Sequence, residues 1–191
     1  MSKRDLAEAG VFVTLLAAGA AVRILLRDLP NVAPVAALAL FAGYFFRSRL
    51  VASAVPVGVM IVSDWVIGAY AWQMMLLVYA MLVFPVAFRS PLRRYLAIRA
   101  DNAAMRSVLG LATCSLGASV AFFLVTNFGS WIWFELYQPG WGGLLQCYVA
   151  ALPFFRYTLL SDFCFGCLFF GGYALATRFG WAEDVSIRPS L

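Results

Sequence analysis

Few side chains in this chain can do chemistry. Arg23, Asp64, Arg156 and Asp162 lie within or beside long apolar runs, with Arg27, Asp28 and Glu135 close by. An ionisable group at membrane depth costs several kcal/mol unless it is paired or hydrated. Two chemistries fit. Arg23 or Arg156 could pair with Asp64 or Asp162 and hold helices together, or the charges could line a polar cup that takes a solute. Asp64 and Asp162 could also form an acid pair of the aspartic-protease kind. Their contexts, Val62-Ser63-Asp64-Trp65 and Leu160-Ser161-Asp162-Phe163, lack the glycine-flanked aspartate of intramembrane aspartic proteases.

What is missing narrows the choice. The chain has no histidine, which removes Ser-His-Asp and Cys-His catalysis, imidazole metal ligands and the commonest general base. Cys164 and Cys167 lie three apart, about 60° from each other around a helix. A redox dithiol or soft-metal site there is the alternative to packing; with no basic residue beside them, Cys164 and Cys167, like Cys114 and Cys147, read as small apolar packing residues. No Gly-rich phosphate loop occurs, so the chain does not itself hydrolyse nucleotide. The expectation is a protein that is not an enzyme and uses no cofactor and no metal.

The elements that carry these residues are set by hydrophobicity. Apolar residues make up 64% of the 191 and charged residues 12%, about half the charged share of a soluble domain. Runs near the 20 apolar residues a crossing helix needs, with one short exception, occupy about 6–26, 35–46, 50–67, 69–88, 108–125 and 157–179. In lipid such runs are helices, because every backbone polar group must be satisfied within its own segment. The fold class expected is a single all-α membrane domain of six spans.

Eleven of the fourteen Lys and Arg residues fall at the two termini and on alternate connections, leaving Arg23, Arg27 and Arg156 on the other side. Positive connections stay in the cytoplasm, so both termini are expected inside and Arg23, Asp64 and Glu135 outside. Trp65, Tyr70 and Trp72 sit where an outer aromatic belt belongs. The net charge of +5 is thus topology rather than a nucleic-acid footprint. A cleaved signal peptide is the competing reading of the N-terminus, and Asp5 and Glu8 argue against it. The basic 89–107 connection, with Leu92, Tyr95, Leu96 and Ile98 among arginines, reads as an interfacial helix.

Two places break the pattern. The second run has 12 residues, about 18 Å of helix, too short for a core of about 30 Å. It follows Leu29-Pro30-Asn31-Val32-Ala33-Pro34, where two prolines prevent continuous helix. Irregular backbone at membrane depth is tolerated where protein buries it or a cavity wets it, and broken spans mark substrate sites in transporters. Before the sixth span, 142–155 is apolar but short, and reads as an interfacial segment. The aromatic stretch 126–135, with Asn127 and Trp131, reads as an outer loop, either an anchor or a lid. Ala17 and Ala21, four apart on the first span, suit close approach of a partner helix.

Four stretches carry a resemblance: Asn31-Val32-Ala33-Pro34-Val35-Ala36-Ala37-Leu38-Ala39-Leu40-Phe41, Ser63-Asp64, Thr126-Asn127-Phe128-Gly129-Ser130-Trp131, and Cys147-Tyr148-Val149-Ala150-Ala151-Leu152-Pro153-Phe154-Phe155. From about Arg23 to Gly172 the chain resembles an uncharacterised bacterial six-span family. That family looks like the substrate-binding S components of energy-coupling-factor (ECF) transporters. The resemblance implies a bacterial inner-membrane protein that binds a vitamin-like solute from outside. It also implies coupling, through small residues such as Ala17 and Ala21, to a transmembrane partner and ATPases. On this reading Arg23, Arg27, Asn31, Asp64, Asn127, Trp131, Arg156 and Asp162 contribute to a site for a zwitterion or heterocycle. The alternative is a non-transporting interaction or assembly protein whose outer charges are structural pairs.

Overall fold

The computed structural model describes residues 3–96 and 104–180. Along them run α1 (Lys3–Leu25), α2 (Val35–Phe45), α3 (Arg49–Ile67), α4 (Trp72–Val83), a 3-10 turn (Phe84–Phe88), α5 (Arg89–Tyr95), α6 (Ala104–Trp133) and α7 (Trp141–Arg178), with no strand among the described residues. Five segments are long and apolar enough to cross a membrane: Asp5–Leu25, Arg49–Ile67, Trp72–Arg94, Ser107–Trp133 and Trp141–Arg178. α2, with 11 residues, is not.

That short helix is the centre of the molecule. Ten of its residues are buried, and it packs against α1, α3, α4, the 3-10 turn, α5, α6 and α7. A helix apolar on every side has no face to offer water and belongs inside a bundle. Its aromatics interlock with α7. Phe41 meets Phe170 edge-on at 5.4 Å between centroids, and Tyr44 lies 5.6 Å from the same ring. Gly43 lets the 3-10 turn close in, since a Cβ there would stand 3.2 Å from Val86 Cα.

Both ends of α2 are held by other elements. The last carbonyls of a helix have no partner of their own. Arg93 of α5 supplies one, donating from Nε to the Tyr44 carbonyl and from Nη2 to the Phe46 carbonyl, each at 2.9 Å. At the other end Asn31 takes a left-handed φ of 57°, and Pro34 opens the helix. The Ser161 hydroxyl of α7 lies 3.1 Å from both the N–H and the carbonyl of Ala33, which pins the irregular connector to the bundle.

Several expectations change here. The first three apolar runs keep their bounds within three residues, the second as a helix too short to cross. The fourth begins as helix at Trp72, then tightens to 3-10 at Phe84, where Pro85 has no N–H for an α-helical bond. The stretch 126–135 is not a loop, because α6 continues to Trp133. No separate interfacial segment precedes the sixth span, because 142–155 forms the first part of the 38-residue α7. A tight turn joins the two, with Glu135 at φ 50° and Gly140 at φ 102°. A Cβ on Gly143 would run into the Gln138 carbonyl, so that turn needs glycine. Of the expected 89–107 interfacial helix, α5 accounts for Arg89–Tyr95, while 97–103 lies outside the described residues.

The Arg93 cap yields a direct test. Arg93→Met leaves two carbonyls without their charged donor, and bonds to charged groups contribute about 1.5–3 kcal/mol each. The thermal unfolding midpoint of the purified protein is expected to fall clearly. Arg94→Met, at an exposed position one residue along, should leave it unchanged. Equal midpoints in the two variants would remove the cap from the account.

Candidate functional site

A cavity of about 260 Å³ lies at the N-terminal end of α2. This approaches the lower bound of about 300 Å³ for small-molecule sites. Arg23, Arg27, Asn31 and Val32 come from the end of α1 and the connector, and Val35 and Ala36 from the first turn of α2. Met60 and Ile67 of α3, Val78 and Leu82 of α4, Phe122 of α6, and Thr158 and Asp162 of α7 complete the wall. The wall is mostly apolar with a few polar groups, the usual make-up of a ligand pocket. Cavity and connector coincide for a physical reason. A chain that stops being helical at Leu25 and resumes at Val35 leaves a gap beneath the longer helices around it.

Two buried aspartates stand near this end, in opposite circumstances. Asp64 is fully engaged. Its Oδ1 receives Arg23 Nη1 at 2.5 Å and its Oδ2 receives the Tyr79 hydroxyl at 2.7 Å. The same Arg23 nitrogen reaches the Ser63 hydroxyl, which donates to the Val59 carbonyl of its own helix. The pair ties α1, α3 and α4 together. Tyr70, on the turn between α3 and α4, has its phenol pushed above the ordinary value, chiefly by burial and then by the Asp64 carboxylate, with Arg23 opposing.

Asp162 is only 4% exposed yet borders the cavity. Its Oδ2 lies 2.6 Å from the Ser119 hydroxyl, which also stands 2.9 Å from the Ser115 carbonyl. One hydroxyl proton serves one of those acceptors at a time. Among the described residues, no arginine or lysine comes within ion-pair distance of Asp162. The first turn of α2, near the same cavity, has no side-chain cap. Its N–H groups carry the positive end of the helix dipole.

The structure therefore gathers Arg23, Arg27, Asn31 and Asp162 into one cavity lining, with Asp64 behind Arg23. It places the other named residues elsewhere. The Asn127 amide donates to the Phe123 carbonyl of its own helix at 2.7 Å. Trp131 Nε1 donates to the Gln138 carbonyl at 3.2 Å, beside an open concavity of about 700 Å³ at the α6–α7 turn. Arg156 is exposed and stacks over Tyr157, 4.8 Å from its ring centroid. Ala17 and Ala21 lie on an exposed face of α1 with Val13 and Leu25. Cys164 and Cys167 are exposed, and Cys114 and Cys147 buried. Among the described residues no three His, Cys, Asp or Glu side chains converge on a metal position.

Sequence reasoning missed Ser63, Tyr79, Ser119, Thr158 and Ser161. One signal was present: Ser-Asp occurs twice, at Ser63-Asp64 and Ser161-Asp162, and each copy serves this end of the bundle.

Removing one member of a buried ion pair costs about 3–5 kcal/mol, because the other charge is left uncompensated. Arg23→Met and Asp64→Leu are each expected to lower the unfolding midpoint strongly. The double variant should recover a large part of that loss. Strictly additive effects would show that the two charges do not depend on each other.

No curated protein and no solved structure matches this chain. Residues 4–183 match DUF6580, a family of unknown function, and the chain belongs to that family.

Proposed function

We propose that this chain is a membrane solute-binding subunit that takes up a small molecule from the outer face, in the manner of an ECF S component. The observation that carries the reading is the cavity at the start of α2, where an incompletely satisfied buried carboxylate, arginines and an uncapped helix N-terminus border an otherwise apolar wall. A zwitterion or a heterocycle with both donors and acceptors matches that mixture. The proposal assigns no catalytic step and no cofactor.

In the proposed topology the protein sits in the bacterial inner membrane with both termini inside. The irregular connector and α2 together make the second of six crossings. The Arg93 end of α2 then faces the cytoplasm and the cavity faces out. The exposed Ala17–Ala21 face of α1 would meet a transmembrane coupling subunit, which in turn engages ATPases. The closed Arg23–Asp64 pair supports a second reading, in which the protein is a non-transporting assembly factor and the charges are struts.

Two measurements bear on this. Single cysteines at Ser90 and Gln138, both exposed, are expected to label from opposite sides of the membrane. Labelling from one side overturns the topology. Native mass spectrometry of gently purified protein is expected to show a retained small molecule in near-unit occupancy. The cavity-filling Ala36→Trp variant should lose it. Absence of a retained mass in the unmodified protein favours the assembly reading, and retention in Ala36→Trp places the molecule outside this cavity.

A further inference from the structure

The cavity holds one acid whose hydrogen-bonding capacity is not used. Asp162 Oδ1 has no partner among the described residues, and Oδ2 shares the single Ser119 proton with the Ser115 carbonyl. A buried carboxylate in that condition lacks both the counter-charge and the donors that normally accompany it. Arg23 also lines the cavity, but its Nη1 is held by Asp64 and Ser63. Arg27 is 54% exposed and stands 3.8 Å from Asp28. The first turn of α2 is close, since Ser161 binds Ala33, yet none of its N–H groups donates to Asp162. The protein supplies a pocket and an acceptor and leaves the donor out.

We infer that Asp162 is the recognition point for a positively charged, hydrogen-bond-donating nitrogen of the solute. The substrate class is then a small organic cation or zwitterion that presents an ammonium or amidinium group to α7. Its apolar body lies against Met60, Val78, Leu82 and Phe122. Any acceptor or anionic end points toward the first turn of α2 and Arg27, so the solute lies with its charges aligned to those of the cavity. Ser119 is a positioning residue, fixing the carboxylate through Oδ2 while Oδ1 faces the ligand. This inference rests on the solute-binding reading and assigns its polarity.

The test uses three probes with one shared body: 2-phenylethylammonium, 2-phenylethanol and 3-phenylpropionate. Binding is measured by calorimetry on the full chain in nanodiscs. The ammonium probe is expected to bind at least roughly tenfold tighter than the other two, the worth of one charged hydrogen bond. Asp162→Asn should lose that preference, while Ser119→Ala keeps it at reduced affinity. The ranking of the probes on the unmodified protein needs no variant, so a poorly folding Asp162→Asn does not rescue the idea. Tightest binding of the carboxylate probe overturns the cation assignment and leaves the solute-binding reading standing. Equal ammonium affinity in Asp162→Asn, or no binding of any probe, also overturns it. The retained-mass measurement above then decides separately whether any solute binds.

Discussion

The backbone of α2 is the constraint on which the rest depends. Eleven apolar residues form a helix of about 16 Å, ten of them buried, whose end groups have no partners within the helix itself. Each unsatisfied backbone group in such surroundings costs on the order of several kcal/mol. The bundle answers this at the C-terminal end with a guanidinium from α5; at the other end a serine of α7 holds the connector, and the uncapped first turn lies beside the cavity. Arg93 is basic because a fork of donors suits two converging carbonyls, and lysine has no such fixed geometry. The cavity follows from the same constraint. Four of the helices around it have 19 to 38 residues against its 11, so space remains at its start.

The two Ser-Asp pairs show how context turns one dipeptide into two devices. On α3, Arg23 reaches both Ser63 and Asp64, and Tyr79 closes the second carboxylate oxygen. The result is a neutral, saturated cluster that joins three helices. On α7 the serine turns to the connector and the aspartate to the cavity. Among the described residues no cation arrives, and one hydroxyl is the sole side-chain donor. The difference lies in which neighbours are in reach, since both acids are similarly buried.

Much of the scaffold was legible in the sequence because hydrophobic length is a direct physical requirement. The bounds of α1, α2 and α3 follow from apolar runs and from the prolines before α2. The extent of α6 and α7 was not legible. Thr126, Asn127 and Ser130 looked like loop residues because they are polar. In the helix each donates to a carbonyl four residues back and so meets its own need locally. The 142–155 stretch reads as a separate interfacial segment, yet it is continuous with the rest of α7, Pro153 included. The charged members of the cavity were legible in part. Arg23, Arg27, Asn31 and Asp162 converge as a cup would require, while Asn127, Trp131 and Arg156 were assigned from a loop that does not exist or from a side that faces away. Partnering of Arg23 with Asp64 rather than Asp162 depends on angular placement around helices, which spacing along the chain does not reveal.

An under-satisfied carboxylate inside a bundle has a thermodynamic consequence of its own. Its burial lowers the stability of the empty protein, as an isolated buried charge does. Selection for stability alone would favour an apolar residue or an added donor at Asp162, in the way that Arg23 and Tyr79 complete Asp64. Under the proposed reading, the solute supplies the missing donor. Binding then stabilises the fold by RT ln(1 + [L]/Kd), about 2.7 kcal/mol when the ligand is at one hundred times its Kd. Because Ser161, adjacent to Asp162, grips Ala33, a group that fixes Asp162 also fixes the segment holding the connector. Under that reading, occupancy of the cavity and order of the connector would be linked through two consecutive residues of one helix.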